Sequence, residues 1–290
     1  MSSLLKDYHS NINEYYQRAQ SDYELIWHLK THHCLHYGYW QPGTRTLREA
    51  LMRMTEQVAL HGRIAPGDRA VDLGCGVGGP AVYLAEKYQC QVEGISISLF
   101  QIRQARALAK NKKTGSVGFS VQDYCHTLFD DEQFDIAYAI ESACYAVDKK
   151  ELLSEINRIL KPRGRLVVLD FFRTGAQPNE ADEMIMKKWT ESWAIADYAR
   201  ESDFETQLQE TGFINIKRIN INKEIYPSVK RLYYCYYPGV VCDLLFRLAK
   251  NRGRVNYKNV RSAFYQYKAF KKGLWNYNIY VAEKGGPGDT

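Results

Sequence analysis

The stretch that most restricts the fold is Ala70-Val71-Asp72-Leu73-Gly74-Cys75-Gly76-Val77-Gly78-Gly79-Pro80. An apolar run ends in an acid, passes through a glycine-rich turn and gives way to a helical pattern from Ala81 to Tyr88. That order predicts a strand, a tight loop and a helix N-terminus. Glycines in such a turn admit positive φ and let a ligand lie directly on the backbone. A dinucleotide-binding turn would read G-x-G-x-x-G with an acid about 20 residues on. Here the glycines read G-x-G-x-G-G, and the next strand, Gln91-Val92-Glu93-Gly94-Ile95-Ser96, ends in a serine.

Strands over 69–73, 91–96, 116–121, 134–140 and 165–171 alternate with helices over 79–88, 99–112 and 149–160, with a short loop and helix before the fourth strand. This alternation predicts an α/β fold, a doubly wound, largely parallel sheet with helices on both faces. Lys161-Pro162-Arg163-Gly164 stops the helix before the fifth strand. Residues 10–60 read as helices (13–16, 23–29 and an amphipathic 46–61) interrupted by a loop over 36–43. Beyond Phe172 the pattern gives helices over 180–198 and 203–210 and strands over 213–221 and 274–283. The expected units are an N-terminal helical cap (1–62), a Rossmann-like core (63–222), a helical insertion between the last two strands (223–272), and the last strand with a disordered tail (273–290).

Ligands of a doubly wound sheet sit at the C-terminal strand ends, by the switch point. The loops there carry Gly74 and Gly76, Ser96-Ile97-Ser98, Asp123-Tyr124 and Glu141-Ser142. The pattern D-x-G-C-G-x-G-G-P resembles the first motif of class I S-adenosylmethionine-dependent methyltransferases, especially those acting on sterol side chains and prenyl diphosphates. The resemblance implies that Asp72, Gly74, Cys75 and Gly76 hold the amino-acid part of the donor. Ser96, Ile97 and Gln101 would bind the ribose, although Ser96 stands where many of these enzymes have an acid. Asp123 would accept from the adenine amine, with Tyr124 and Ile140 in the same pocket.

Tyr138-Ala139-Ile140-Glu141-Ser142-Ala143-Cys144-Tyr145 resembles the sterol methyltransferases, which carry an active-site Glu at the position of Glu141. Methyl transfer to an alkene leaves a carbocation, and a carboxylate in a low-dielectric pocket stabilises it and can remove a proton. The other reading of Glu141 is a carboxylate favoured by a helix N-terminus. Aromatic faces also stabilise a sulfonium or a carbocation, by roughly 0.5–2 kcal/mol each. His36-Tyr37-Gly38-Tyr39-Trp40 is similar to the H-[FY]-G-Y-W segment that closes over the donor in these families. Tyr37 and Trp40 are therefore expected beside Glu141 as catalytic residues, and Tyr16, Tyr39 and Tyr234 at the acceptor. For the tyrosines at 233–237, core packing is an equal reading.

Net charge is +6, yet residues 217–272 hold 14 Lys/Arg against Glu224 and Asp243, so the rest of the chain is acidic. This basic stretch reads as a solvated face, as a membrane-surface helix, or as a source of cations for a diphosphate, with Arg231 and Arg247 as candidates. Nucleic acid fits the interleaved aromatics but not the small-molecule signature. The seven cysteines form no C-x-x-C pair and show no metal spacing with histidine, so no protein metal site is expected. With no secretory h-region at the N-terminus and no apolar run long enough to span a bilayer, a cytoplasmic protein is expected.

The reading is a donor-dependent C-methyltransferase acting on an isoprenoid alkene. A prenyl diphosphate is preferred, because 290 residues is short for a sterol enzyme of this kind and the basic stretch over 217–272 offers cations; it would bring Mg²⁺ through its own oxygens. The alternatives are a sterol side chain, a tocopherol-like phenolic ring carbon, an amine, or a non-catalytic protein of this fold that binds membrane or RNA. Oligomeric state is left open.

Overall fold

The computed structural model describes residues 3–112, 116–248, 257–286 and 288. The chain opens with one 24-residue helix, α1 (Ser3–Ile26), where the pattern showed two shorter ones, and a single turn, α2 (Leu29–His32). Helix α3 (Leu47–Gly62) is capped by Thr46, whose hydroxyl accepts from the Glu49 amide at 3.2 Å. The core then runs β1 (Arg69–Leu73), α4 (Gly79–Tyr88), β2 (Gln91–Ser96), α5 (Leu99–Lys112), β3 (Val117–Val121), β4 (Phe134–Ile140), α6 (Lys149–Ile159) and β5 (Leu160–Arg173). After it come α7 (Glu180–Ser192), α8 (Glu201–Glu210), β6 (Phe213–Asn220), α9 (Asn222–Leu248), α10 (Tyr257–Lys271) and β7 (Trp275–Lys284).

The seven strands form one sheet in the order β3-β2-β1-β4-β5-β7-β6. Strands β1 to β5 pair in parallel, and β7 is antiparallel to both β5 and β6. From β1 the chain winds outward to β3, then returns to place β4 on the other side of β1. The switch point therefore falls between β1 and β4, where the loops after them face each other. Leu51, Met54, Leu84 and Ile102 of α3, α4 and α5 bury against one face of the sheet. Leu152, Ile156, Phe204 and Leu208 of α6 and α8 cover the other.

Three local expectations are corrected. No helix forms between β3 and β4, because Asp123 Oδ1 accepts from the Cys125 amide at 2.9 Å and turns the chain there. Strand β5 begins at Leu160, which pairs with Phe134, so the Lys-Pro-Arg-Gly segment lies within it, with Arg163 at φ 64°. Helix α7 stops at Ser192 and not at Tyr198, because Ala194 takes φ 56°. Among the described residues, the stretch between β6 and β7 holds two helices, α9 and α10, and α10 packs on both α9 and α7. The expected disordered tail falls partly outside the described residues.

Candidate active site

Gly74 follows β1 at φ 94°, and a Cβ there would meet the Ser142 Cβ at 2.4 Å. Only glycine allows the loops after β1 and β4 to touch in this way. The Gly74 and Cys75 amides both donate to Ile95 O at 2.9 Å, which folds the turn back onto β2. At its far end the Gly79 amide donates to His33 O at 3.1 Å, fastening the segment after α2 across the mouth of the turn.

Asp72, Gly74, Cys75, Gly76, Ser96, Ile97, Gln101, Asp123, Tyr124 and Ile140 all line one cavity of about 100 Å³, roofed by Leu5, His9, Ile12 and Tyr16 of α1. Ser96 donates to Gln101 Oε1 at 3.0 Å and accepts from the Ser98 amide at 3.1 Å. The Tyr124 hydroxyl donates to Ser142 O at 3.0 Å. Three buried acceptors in this cavity accept no hydrogen bond: Asp72 Oδ2, His36 Nε2, and Asp123 Oδ2, which lies 3.8 Å from His9 Nε2. Burial lifts the Asp72 carboxyl to about 7, against the opposing effect of the nearby Tyr138 hydroxyl.

His36 also lines this cavity, a residue to which the sequence pattern assigns no role. Its Nδ1 lies 2.8 Å from Tyr37 O. A carbonyl only accepts, so Nδ1 carries the proton and Nε2 bears a lone pair. Burial pushes this imidazole down to about 4, so it is neutral at physiological pH.

A second cavity, of about 270 Å³, lies against the first. Tyr23, Trp27, Tyr37, Phe171 and Trp193 wall it, and Tyr16, Leu35, Glu141 and Tyr145 border both cavities. Tyr16 stacks on Tyr23 with ring centroids 6.1 Å apart and meets Tyr145 at 5.9 Å.

Glu141 follows β4 directly, with φ at 51°, a conformation rare for a residue bearing a Cβ. Its amide still extends the ladder by donating to Leu169 O at 2.8 Å. Oε1 accepts from the Tyr37 amide at 2.6 Å and from the Tyr277 hydroxyl at 2.9 Å. Oε2 accepts nothing among the described residues, which leaves it available to whatever fills the cavities. Burial raises this carboxyl to about 8; the two hydrogen bonds oppose that rise and the nearby Asp170 adds to it. Asp170 Oδ2 in turn accepts from the Cys144 amide at 2.9 Å, and Lys149 Nζ donates to Cys144 O at 3.0 Å, so the turn after Glu141 is held from both sides.

Four expectations are corrected or fall outside. Tyr39 and Trp40 line neither cavity. The Tyr39 amide donates to Ala50 O at 2.8 Å, and Trp40 Nε1 donates to Ser228 Oγ at 2.9 Å, so both are anchored to the helices flanking the segment. Tyr234 is 60% exposed on the outer face of α9. Arg231 does line the second cavity, while its Nη2 donates to Ile26 O at 2.8 Å and ties α1 to α9. The Arg247 side chain lies outside the described residues. Among those described, no group of three His, Cys, Asp or Glu could hold a metal ion.

The family model described as "Methyltransferase domain" matches residues 71–168, from β1 into β5. An O-methyltransferase of Penicillium expansum is 33% identical over 199 residues, covering 68% of this chain and 71% of that protein. A "Probable tocopherol O-methyltransferase, chloroplastic" of Oryza sativa subsp. japonica is 27% identical, covering 93% of this chain and 76% of that protein. Two solved structures share the fold. The 4+2 cyclase SpnF gives a TM-score of 0.77 at 22% identity, covering 95% of each chain. A geranyl diphosphate C-methyltransferase from Streptomyces coelicolor A3(2) gives 0.75 at 18%, covering 96% of this chain and 97% of that one.

Proposed function

The chain belongs to the class I S-adenosylmethionine-dependent methyltransferases, and from that premise we propose that it methylates an alkene carbon of an isoprenoid acceptor held in the aromatic cavity. The observation that carries the reading is the position of Glu141, on the border of both cavities with one carboxylate oxygen unengaged.

The first cavity suits the donor. Its buried atoms without a hydrogen bond, on Asp72, Asp123 and His36, are all acceptors, and the donor brings an ammonium, ribose hydroxyls and an adenine amine. Gly74 and Gly76 leave backbone bare where its amino-acid part would lie. When bound, S-adenosylmethionine supplies a methyl group on a positively charged sulfur. Everything else falls to the chain's own residues. Tyr16 and Tyr145 border both cavities and present rings to positive charge, on the donor side and on the acceptor alike. The cavity walls hold the alkene against the donor so that alignment lowers the barrier. Glu141 Oε2 then stabilises the carbocation left on the acceptor and takes the proton whose loss forms the new double bond. With a carboxyl near 8, nearby positive charge shifts Glu141 toward the ionised form that this work requires.

A prenyl diphosphate remains the preferred acceptor, with Arg231 as a described cation on the cavity wall and Mg²⁺ carried by the diphosphate. A second reading is transfer to a hydroxyl oxygen, with Glu141 as general base. The names of the Penicillium and Oryza relatives favour it. A cytoplasmic location belongs to the proposal as well.

The test is incubation with methyl-labelled donor and a panel of prenyl diphosphates, a sterol, a tocopherol precursor and simple phenols. Label in a carbon of a prenyl chain supports the proposal. Label confined to phenols, hydroxyl oxygens or amines rejects the alkene chemistry and leaves the family assignment intact.

A further inference from the structure

Helix α9 carries a solvent-facing stripe at residues 223, 227, 230, 234, 237 and 241, spaced alternately by four and three. Lys223 and Pro227 are exposed and Lys230 half-buried, so the first half is basic. The second half is apolar: Tyr234, Tyr237 and Val241 are 60%, 52% and 56% exposed. A solvated helix face ordinarily carries charged side chains at such positions.

The neighbouring α9 positions, Arg231, Cys235, Pro238 and Cys242, line the aromatic cavity, as does Leu25 of α1, itself 77% exposed. Leu25 thus lies on the cavity wall, and on α9 Tyr234, Tyr237 and Val241 sit next in the chain to the lining residues Cys235, Pro238 and Cys242. Along the sequence, the stretch that includes α9 is strongly basic, with 14 Lys/Arg against two acids over residues 217–272. Glu24, beside Leu25, is already neutralised by Lys30 at 2.7 Å.

We propose that this face docks on a lipid bilayer bearing anionic headgroups, and that the acceptor enters the second cavity from the bilayer interface. Tyrosine suits such a surface, with a ring for the acyl boundary and a hydroxyl for the headgroups. The basic half of the stripe meets the negative surface potential. Charge also separates this occupant from a second copy of the chain, which would set one basic face against another. The inference rests on the proposed function only in taking the acceptor to be apolar.

The test is co-sedimentation of the full chain with vesicles of phosphatidylcholine alone and of phosphatidylcholine containing phosphatidylserine. The protein should pellet with the anionic vesicles only and be released at high salt. The combined variant Tyr234→Ser, Tyr237→Ser, Val241→Ser should lower the partition coefficient about tenfold, with S-adenosylhomocysteine affinity and melting temperature unchanged as the check on folding. No binding by the wild type, or equal binding by the variant, overturns the proposal. So does a variant that turns a dimer into monomers on gel filtration, which would assign the face to a second copy. None of these outcomes depends on which acceptor is methylated.

Discussion

The backbone amide of Tyr37 donates to Glu141 Oε1 at 2.6 Å across 104 residues of chain. The segment after α2 therefore reaches the carboxylate at the end of β4, while two neighbours of Tyr37 hold the glycine turn: His33 O accepts from Gly79, and Leu35 packs toward Gly76. One short stretch of backbone sets the distance between the donor turn and the carboxylate. Three kinds of change to that arrangement have distinct expected outcomes, and a fourth concerns the site's cost in stability.

Tyr277 donates to the same oxygen and favours the charged form of Glu141. The proposed chemistry needs the carboxylate, so kcat/KM for the donor, which reports the free enzyme, should rise with pH through about 8. Tyr277→Phe removes the stabilising hydrogen bond and moves that limb to higher pH. At pH 7 the variant should run about tenfold slower than the wild type, one unit of displacement, with the gap narrowing at higher pH. A limb that stays in place would disconnect Tyr277 from the reacting carboxylate.

His36 presents a fixed lone pair in the donor cavity, between residues that touch the glycine turn and one that touches Glu141. A lone pair prefers the donor's α-ammonium to its carboxylate. His36→Ala should raise the Kd of S-adenosylhomocysteine about tenfold, as expected for a hydrogen bond to a charged group. Calorimetry with the analogue lacking the α-amino group should find wild type and variant nearly equal. Equal losses for both ligands would make His36 a packing residue.

Gly79 has no room for a side chain: a Cβ would sit 2.1 Å from His33 O. Gly79→Ala should break the Gly79–His33 hydrogen bond, cost about 1–3 kcal/mol of stability in urea titration, and weaken S-adenosylhomocysteine binding with it. A variant as stable and as tight as the wild type would show that the 33–37 segment is not anchored there.

The Glu141 carboxyl stands near 8 in the folded chain, against about 4.3 for an unperturbed Glu. A raised carboxyl contributes stability that is fully present below the unfolded value and lost as pH rises through the folded one. Glu141→Gln cannot ionise, so its melting temperature should exceed that of the wild type by a margin that grows from pH 5 to pH 8, reaching about 3 °C or more. A margin independent of pH would contradict this titration.

How legible this was in the sequence follows from how local each signal is. The glycine turn, the strand ends and the residues from Asp72 to Ile140 were readable because each sits at a fixed offset from a strand of clear periodicity. They converge because parallel strands bring all their C-terminal ends to one edge. The antiparallel β7 is not written in its own residues, since an apolar strand reads alike in either direction. The aromatic segment divided in a way its composition conceals: Tyr37 faces the cavity, whereas Tyr39 is fixed to α3 through Ala50 and Trp40 to α9 through Ser228, 188 residues along the chain. Tyr277, near the C-terminus, meets Glu141 only through the β5–β7 pairing, and nothing near residue 277 announces that contact.

The account rests on Glu141 and is tested most directly by Glu141→Gln, with donor affinity and turnover measured on the best acceptor of the panel. Glutamine keeps an oxygen to accept from Tyr37 and Tyr277, so the donor Kd should stay within about threefold of wild type. Turnover should fall by about 100-fold or more, the scale of losing a positioned charge and proton acceptor. A variant that binds the donor normally and turns over at the wild-type rate would contradict the account.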